Sequence, residues 1–336
     1  ACCSGGNHAN GILDGEHCPG YTLCENTIYF GAGCNSEGGS TLPDFPDDSG
    51  TPNGTPNPGV PYYDPDWDNN DPGNVATTVF VTPELLRKKN FRNALDANQE
   101  NILNGLNQTL YDQIFDFLNH SNSNDILNGT EYYPEDIQTV IEILDFIDDN
   151  QDQNGNILPE TEAFAEEVIT SEVNFKNDNL GVQVFEQDYK SQMSSTELII
   201  FEDLSRDKQL DYLHSAYLAF LYAEFYYENI PQVQYNGKGD AYRHALWNAL
   251  GAAKLGSATM EQLTSAHEEK PFTYPYHYME KDMDLYNNNI GINLGNQSNF
   301  LLMIKVKTKL ENGELVYLSD TNPQATQNSQ LIPTNQ

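Results

Sequence analysis

The fold is decided by residues 237–256, GKGDAYRHALWNALGAAKLG, where small and apolar residues recur at helical spacing. Asp240 follows two glycines and opens the Ala/Leu-rich run, so the pattern predicts that it caps a helix that begins there. On that helix Asp240, His244 and Asn248 fall at i, i+4 and i+8 and share one face, with Arg243 on the adjoining stripe. Because buried polar groups are costly without a partner or a use, this face is expected to carry chemistry.

Two later segments repeat the combination of helical spacing with polar side chains. Residues 259–269 predict a second helix, which ends in the pair His267 and Glu268. Residues 279–291, MEKDMDLYNNNIG, predict a third, short helix with Asp284 three and four residues before two asparagines. The polar ends of the three helices are expected to converge on one point.

These segments resemble a known family of uncharacterised bacterial domains. The chain has DAYRHALWNA at 240–249, AHE at 266–268 and MDLYNNNIG at 283–291. They are similar to the signature of a domain that occurs in Bacteroidota lipoproteins and secreted proteins and at the ends of some polymorphic-toxin chains. The resemblance covers roughly residues 205–320 and implies a bacterial secreted or surface setting. It implies no activity, which has to be argued from the residues.

The candidate site is a metal centre of mixed nitrogen and oxygen ligands. His244, His267 and Asp284 are the predicted ligands, with Asp282 as the alternative to Asp284. Imidazole nitrogen and carboxylate oxygen together suit a borderline divalent ion. Such an ion would activate water, and Glu268, next to the second histidine, is the predicted base.

Two readings of the remaining polar residues stay open. In the first, Arg243 and Asn248 are catalytic residues that orient an anionic or amide substrate, since a guanidinium suits phosphate or carboxylate. In the second, Arg243 pairs with Asp282 or Asp284, the asparagines cap helices, and the histidines are satisfied core residues. Buried polar networks of that kind serve only to specify a fold.

Composition narrows the classes of partner. The formal net charge is −34, from 50 acidic and 16 basic residues. A surface of this sign repels a phosphate backbone, so nucleic acid is excluded as the expected partner. No apolar run approaches the roughly 18 residues that a membrane-spanning helix needs. No transmembrane segment is therefore predicted.

All five cysteines lie near the N-terminus, at positions 2, 3, 18, 24 and 34. Gly-rich residues 1–40 cannot build a sufficient core, so the clustering predicts a disulfide framework in a secreted or cell-surface bacterial protein. The count is odd, and one cysteine is left over. A lipid anchor on Cys2 is an alternative, which the presence of Ala1 before it disfavours.

The predicted fold class is mainly α. The N-terminal arm is expected to join the chain to a protein partner or to a second copy. The segments expected along the chain are a Cys-containing irregular arm (1–40), a Pro/Gly/Asp-rich linker (41–80), a small acidic helical module (81–175), an irregular connector (176–205), the helical signature domain (206–320) and a polar tail (321–336).

The middle module contains a loop that resembles an EF-hand. Asn150, Asp152, Asn154, Gly155 and Ile157 fit positions 1, 3, 5, 6 and 8 of such a loop. The twelfth position is threonine, so a bidentate ligand would need a shifted register. The alternative is an ordinary Asn/Gly turn between helices. The predicted calcium ligands are Asn150, Asp152, Asn154, Asn156, Glu160 and Glu162.

Two functions from different classes follow. The first is a metal-assisted hydrolase of unknown substrate, with its site in the C-terminal helical domain. The second is a noncatalytic, calcium-stabilised structural or binding component of a cell-envelope or filamentous assembly, joined through the N-terminal arm.

Overall fold

The protein is mainly α-helical, as predicted. The computed structural model describes residues 28–30, 78–80, 82–120, 129–227, 235–269, 271, 274–319 and 324–336. The five cysteines and most of the predicted linker lie outside these residues, and so do the predicted disulfide framework and the anchor at Cys2.

The described residues form twelve helices and four short strands. They are β1 (Ile28–Phe30), β2 (Thr78–Phe80), α1 (Pro83–Ala94), α2 (Ala97–Gly105), α3 (Gln108–His120), α4 (Pro134–Asp149), α5 (Pro159–Lys176), α6 (Leu180–Lys190), α7 (Ser195–Glu202), α8 (Arg206–Tyr227), α9 (Lys238–Leu255), α10 (Ser257–His267), α11 (His277–Gln297), α12 (Leu302–Glu311), β3 (Val316–Leu318) and β4 (Leu331–Pro333).

The chain divides into two compact units, and the first comprises residues 1–100 and 121–137. In its described part β1 pairs antiparallel with β2. Helix α1 begins after Thr82, whose side chain accepts a hydrogen bond from the backbone N–H of Leu85 at 3.2 Å. Arg87 is buried on this helix and donates to the carbonyl of Gly129 at 3.1 Å. This bond ties two separate segments of the first unit together.

The second unit comprises residues 101–120 and 138–336, and α9 lies at its centre. Helices α8, α10, α11 and α12 all pack on α9. The small residues Ala241, Ala245 and Ala249 are buried and let the neighbouring helices approach closely. The central position of α9 places the polar face predicted for this helix inside the molecule.

Helices α9 and α11 touch through their backbones. A Cβ atom at Gly291 would clash with the carbonyl oxygen of Ala245, and one at Gly295 with that of Ala249. Only glycine permits this approach. The spacing brings Asp284 on α11 beside the polar face of α9.

The predicted irregular connector is wrong, because residues 176–205 contain α6 and α7. Both helices begin at polar residues that act as caps. Asn179 accepts a hydrogen bond from the N–H of Val182, and Ser194 forms a reciprocal capping box with Glu197. The asparagine and serine residues that suggested irregular chain are therefore helix starts.

The predicted polar tail is also structured in part. Strand β4 pairs antiparallel with β3, with Tyr317 opposite Ile332. Thr334 is buried beyond the strand and its N–H donates to the carbonyl of Leu315 at 3.0 Å. Among the described residues no helix is both long and apolar enough to cross a membrane.

Glu142 on α4 is a partly buried carboxyl group that accepts a hydrogen bond from the N–H of Leu301 at 3.3 Å. Burial raises its pKa from 4.5 to about 7. The folded state therefore holds this proton to higher pH than the unfolded chain, and stability is lost as the pH rises from about 4.5 to about 7. We expect Glu142→Gln to stabilise the protein by about 2 kcal/mol at pH 8 and little at pH 4.5, measured by thermal unfolding.

The control for this prediction is Asp148→Asn, at an exposed position of the same helix. That variant is expected to leave the pH dependence of unfolding as it is in the wild type. Equal unfolding temperatures for wild type and Glu142→Gln at both pH values would contradict the prediction.

Candidate functional site

A cavity of about 640 Å³ opens between the helices of the second unit. One wall is apolar and comes from α6 and α8, with Phe185, Tyr189, Ala216, Phe220 and Ala223. A polar wall comes from α9, α11 and the end of α10, with Asp240, Arg243, His244, His267, Glu268, Glu280 and Asp284. Residues of the three predicted helices thus line one cavity, but the third helix is 21 residues long and Asp284 lies within it rather than at its end.

Three side chains on this wall meet as a possible metal site, here called the ligand triad: Asp240, His244 and Asp284. Their ligand atoms all lie within 4.8 Å of one another. The Nε2 atom of His244 is 3.5 Å from Oδ1 of Asp240 and 3.4 Å from Oδ1 of Asp284. Asp240 and His244 are buried and Asp284 is partly buried. Across the part of the chain that the structure describes, this is the one group of its kind.

The separations within the ligand triad fit a shared ion better than direct hydrogen bonds. Hydrogen bonds between such groups have donor–acceptor distances of about 2.7–3.0 Å. Two atoms bound to one tetrahedral ion at about 2.1 Å lie about 3.4 Å apart. The two distances from His244 match the second value. The ligand triad can therefore hold a metal ion.

The tautomer of His244 is determined by its neighbours. The amide nitrogen of Asn248 contacts the carbonyl oxygen of His244 at 2.9 Å, and since a carbonyl only accepts, this atom is the donor. The same nitrogen donates to Oδ1 of Asn288 at 2.7 Å. That oxygen lies 3.2 Å from Nδ1 of His244, so Nδ1 carries the hydrogen and donates. A neutral His244 consequently presents the lone pair of Nε2 to the two carboxylates.

Electrostatics at the ligand triad favours a cation. Burial lowers the pKa of His244 to about 3, helped by the charge of Arg243, so the ring is neutral. Burial and the charges of Asp240 and Glu268 raise the pKa of Asp284 well above its usual range. Oδ1 of Asp284 is buried and accepts no hydrogen bond from the described residues. A proton or a metal ion is needed to balance these acceptors.

Asp240 is held from two further sides. The backbone N–H of Asn236 donates to its Oδ2 at 2.8 Å, and the guanidinium of Arg243 pairs with its Oδ1. The amide of Asn236 donates in turn to Oε1 of Glu280 at 2.6 Å. These contacts fix the orientation of Asp240 and resemble the outer hydrogen bonds that orient metal ligands.

His267 belongs to a second polar group on the same cavity. Its Nδ1 lies 2.8 Å from Oε2 of Glu197, which is completely buried. The other oxygen of Glu197 accepts a hydrogen bond from the hydroxyl of Tyr212 at 2.8 Å. The His267 ring also packs edge-on against Trp247, with centroids 5.2 Å apart. Glu197 therefore orients the imidazole that lines the cavity.

The predicted metal set and the observed ligand triad share two members. His244 and Asp284 lie together as predicted, and Asp240 stands in the place expected for His267. His267 lies on the cavity wall but is not part of the triad, and its Nδ1 is bound to Glu197. Glu268 lines the same cavity.

Two other predicted residues lie elsewhere. Asp282, the alternative ligand, is exposed and does not line the cavity, since two residues along a helix turn by about 200° away from Asp284. Asn248, predicted to orient a substrate, is completely buried behind His244 and does not line the cavity. Arg243 does line it, but pairs with Asp240 and not with Asp282 or Asp284.

Asp240 and Glu197 were missed as site residues. Asp240 was expected to cap its helix, but α9 begins at Lys238 after Gly237, whose backbone is extended, and Asp240 lies in the first turn. The D-x-x-x-H spacing with His244 was the signal for two ligands on one face. Glu197 had no such signal, because it lies 70 residues from His267 in the sequence.

Two of the three predicted calcium-binding carboxylates, those of Asp152 and Glu162, accept hydrogen bonds within the protein. Asp152 accepts hydrogen bonds from the N–H groups of Asn154 and Asn156 at 2.7 and 2.8 Å, and from the side chain of Asn156 at 2.8 Å. Glu162 accepts from the N–H of Asn107 at 2.6 Å, and Glu160 is exposed. This geometry corresponds to the Asn/Gly turn that was the alternative reading. The amide of Asn150 donates to the carbonyl of Phe146 at 2.7 Å.

Comparison with known proteins yields one family. Residues 211–314 match the model of a family described as a domain of unknown function, DUF6973. The match includes the whole ligand triad but not Glu197. No curated protein and no solved structure matches the chain at a significant level. The signature segments of this chain therefore lie in a stretch that is similar to an uncharacterised domain family.

Proposed function

We propose that the cavity is a metal-dependent hydrolytic site in which Asp240, His244 and Asp284 hold one divalent transition-metal ion. The observation that supports this most is the fixed tautomer of His244, which turns a lone pair toward two carboxylate oxygens at 3.4 and 3.5 Å. One nitrogen and two oxygen ligands suit zinc, manganese, iron or cobalt. Three protein ligands leave a coordination position for water, as in catalytic zinc sites.

Glu268 is the proposed base. Its side chain lines the cavity, and its charge raises the pKa of Asp284, which indicates that the two carboxylates lie near each other. A bound divalent ion would supply the activation of water. Glu268 would take the proton from that water as its oxygen forms a bond to the carbonyl carbon of the substrate, and the bond to the leaving group would break as that group receives a proton.

His267 is the proposed proton donor to the leaving group. A buried carboxylate on Nδ1 fixes the orientation of the ring, as Glu197 does here at 2.8 Å. Since Nδ1 of His267 is bound to Glu197, Nε2 is the atom that would exchange a proton with a bound molecule in this proposal. The proton that Glu268 removes from water is balanced by the one that His267 delivers.

Arg243 and Asn248 take different parts from those expected. Arg243 holds the ligand Asp240, so its charge is largely offset within the site. Asn248 acts through Asn288 to keep His244 in the tautomer that binds a metal. Both are positioning residues in this proposal, and neither contacts the substrate.

The proposed setting is the outside of a bacterial cell. Support comes from the five clustered cysteines and the net charge of −34, which suits a solvated secreted protein. A count of free thiols in the native protein with and without reductant tests this. Five free thiols without reductant would contradict the setting.

The test of the metal site is elemental analysis of the full chain, purified without chelator. We expect one equivalent of a transition metal in the wild type and in Asp282→Asn. We expect none in Asp284→Asn or His244→Ala. Asp282 is the matched control, since it carries the same side chain on the same helix but is exposed. Loss of one of three ligands is expected to remove more affinity than the about 10–100-fold that a supporting residue contributes.

Thermal unfolding of the same four proteins in chelator shows whether the variants fold. Cooperative unfolding of Asp284→Asn without metal supports a binding role for this residue. Absence of metal from the wild type, or equal metal in His244→Ala, would refute the proposed site.

A further inference from the structure

We infer that the substrate of this site is an uncharged or cationic amide or ester with an aromatic or bulky apolar group beside the scissile bond, and not a phosphate ester. The inference rests on the proposed hydrolytic function. Its grounds are the apolar and aromatic residues of α6 and α8 that line the cavity and the charge of the cavity as a whole.

Of the six residues of α6 and α8 that line the cavity, five are apolar or aromatic, and Glu224 is the charged one. Ala216, Phe220 and Ala223 lie at i, i+4 and i+7 on α8, so they form one stripe toward the cavity. Phe185 and Tyr189 lie at i and i+4 on α6 and extend it. The two small residues, Ala216 and Ala223, flank Phe220 and leave room beside its ring for an inserted group.

Phe220 is the part of this wall that a ligand would cover. Its side chain is 50% exposed although it belongs to the helix that packs on α9. Covering an exposed aromatic side chain gains roughly 25 cal/mol for each Å² of apolar surface removed from water. A substrate with an apolar group on this side is therefore held more tightly than one without it.

The other rings of the wall are held in place by further aromatic side chains. The ring centroid of Phe185 is 5.7 Å from that of Tyr189 and 5.4 Å from that of Tyr217, the latter edge-on. The ring centroid of Phe175 lies 6.0 Å from that of Phe185, also edge-on. Such contacts keep the wall from collapsing into the cavity, so the apolar surface exists before a ligand binds.

The charge of the cavity disfavours an anionic substrate. Five carboxylates line it against two permanent cations, Arg243 and Lys281. Arg243 already pairs with Asp240. With a divalent ion on the ligand triad and the proton that His267 donates in the proposed reaction, the positive and negative charges of the cavity balance, and no positive charge is left to offset an anionic substrate. A phosphate ester brings between one and two further negative charges that stay uncompensated, whereas a neutral or cationic acyl group brings none. The carboxylates that line the cavity are Glu224, Asp240, Glu268, Glu280 and Asp284.

The cavity volume of about 640 Å³ is consistent with a substrate of this kind. Pockets for small molecules measure about 300–1,000 Å³. A dipeptide-sized molecule can thus place its carbonyl at the ligand triad and an apolar side chain against Phe220.

Binding of metal-directed probes tests the inference. Phenylacetohydroxamate and acetohydroxamate share the group that binds a metal ion and differ in the ring, and phenyl phosphate carries the ring on an anion. Calorimetry on the full metal-loaded chain is expected to show binding of phenylacetohydroxamate at least about tenfold tighter than that of acetohydroxamate, and weaker binding of phenyl phosphate than of either.

The Phe220→Ala variant is expected to reduce the preference for the ring to less than about threefold, with metal content unchanged. Ile199→Ala is the control, since Ile199 is an exposed apolar residue that does not line the cavity. Equal binding of the two hydroxamates, an unchanged preference in Phe220→Ala, or tighter binding of phenyl phosphate would each overturn the inference while the metal site stands. Absence of metal, measured before any probe is added, would overturn both.

Discussion

Gly291→Ala is expected to lower the free energy of unfolding by about 3 kcal/mol, which corresponds to a fall of about 6–12 °C in Tm. The added Cβ would clash with the carbonyl oxygen of Ala245, which belongs to the backbone of a central helix and cannot move alone. Alanine is otherwise favoured over glycine inside a helix by about 1 kcal/mol. A loss of stability in Gly291→Ala would therefore show that the backbones of α9 and α11 are in close contact at this position.

Gly251→Ala on α9 is the comparison for this prediction. There the Cβ would meet the thioether end of Met260, a flexible side chain that can turn aside. We expect a loss of less than about 1 kcal/mol, measured by thermal and denaturant unfolding. Equal effects at the two positions would show that backbone contact does not determine the helix spacing.

Glu197→Ala is expected to cost about 3 kcal/mol, because a completely buried carboxylate would be removed from the buried Tyr212 and the partly buried His267. The hydroxyl of Tyr212 and Nδ1 of His267 would each lose a hydrogen bond of 2.8 Å. Each buried group left without a partner costs about 1–3 kcal/mol. The capping box with Ser194 would also be lost.

Glu202→Ala on the same helix is the matched control. Glu202 is exposed, and its contact with Lys190 at 3.8 Å is a surface ion pair. Such pairs contribute about 0–1 kcal/mol, so a small change in unfolding temperature is expected. A comparably small change in Glu197→Ala would mean that Tyr212 and His267 find other partners in the variant.

Local spacing in the sequence is sufficient to predict the fold class and part of the candidate site. The i, i+4 relation along 237–256 placed Asp240, His244 and Asn248 on one inner face, and the helical pattern carried the fold class. The sequence predicts that His244 and Asp284 lie together, because each is a polar residue within a helix of apolar periodicity. Such periodicity is readable because neighbours on a helix face are close in sequence.

The rest of the candidate site depends on contacts between residues that are far apart in the sequence. Glu197 reaches His267 from a short helix 70 residues away, and its Ser194-x-x-Glu197 spacing reads only as a cap. The choice of Asp240 over His267 depends on how α9 and α11 pack and on the direction of each side chain. Residues 176–205 were misjudged because asparagine and serine favour both loops and helix starts.

The glycine contact between α9 and α11 has a thermodynamic consequence. Asp240 and His244 lie on one of these helices and Asp284 on the other, so an occupied ligand triad would link them across the interface that Gly291 makes possible. An ion that binds only when the two helices are packed would raise the free energy of unfolding by RT ln(1 + [M]/Kd). This is about 2.7 kcal/mol when the concentration of free ion is a hundred times Kd. The resistance of this domain to unfolding would then vary with the metal supply of its surroundings.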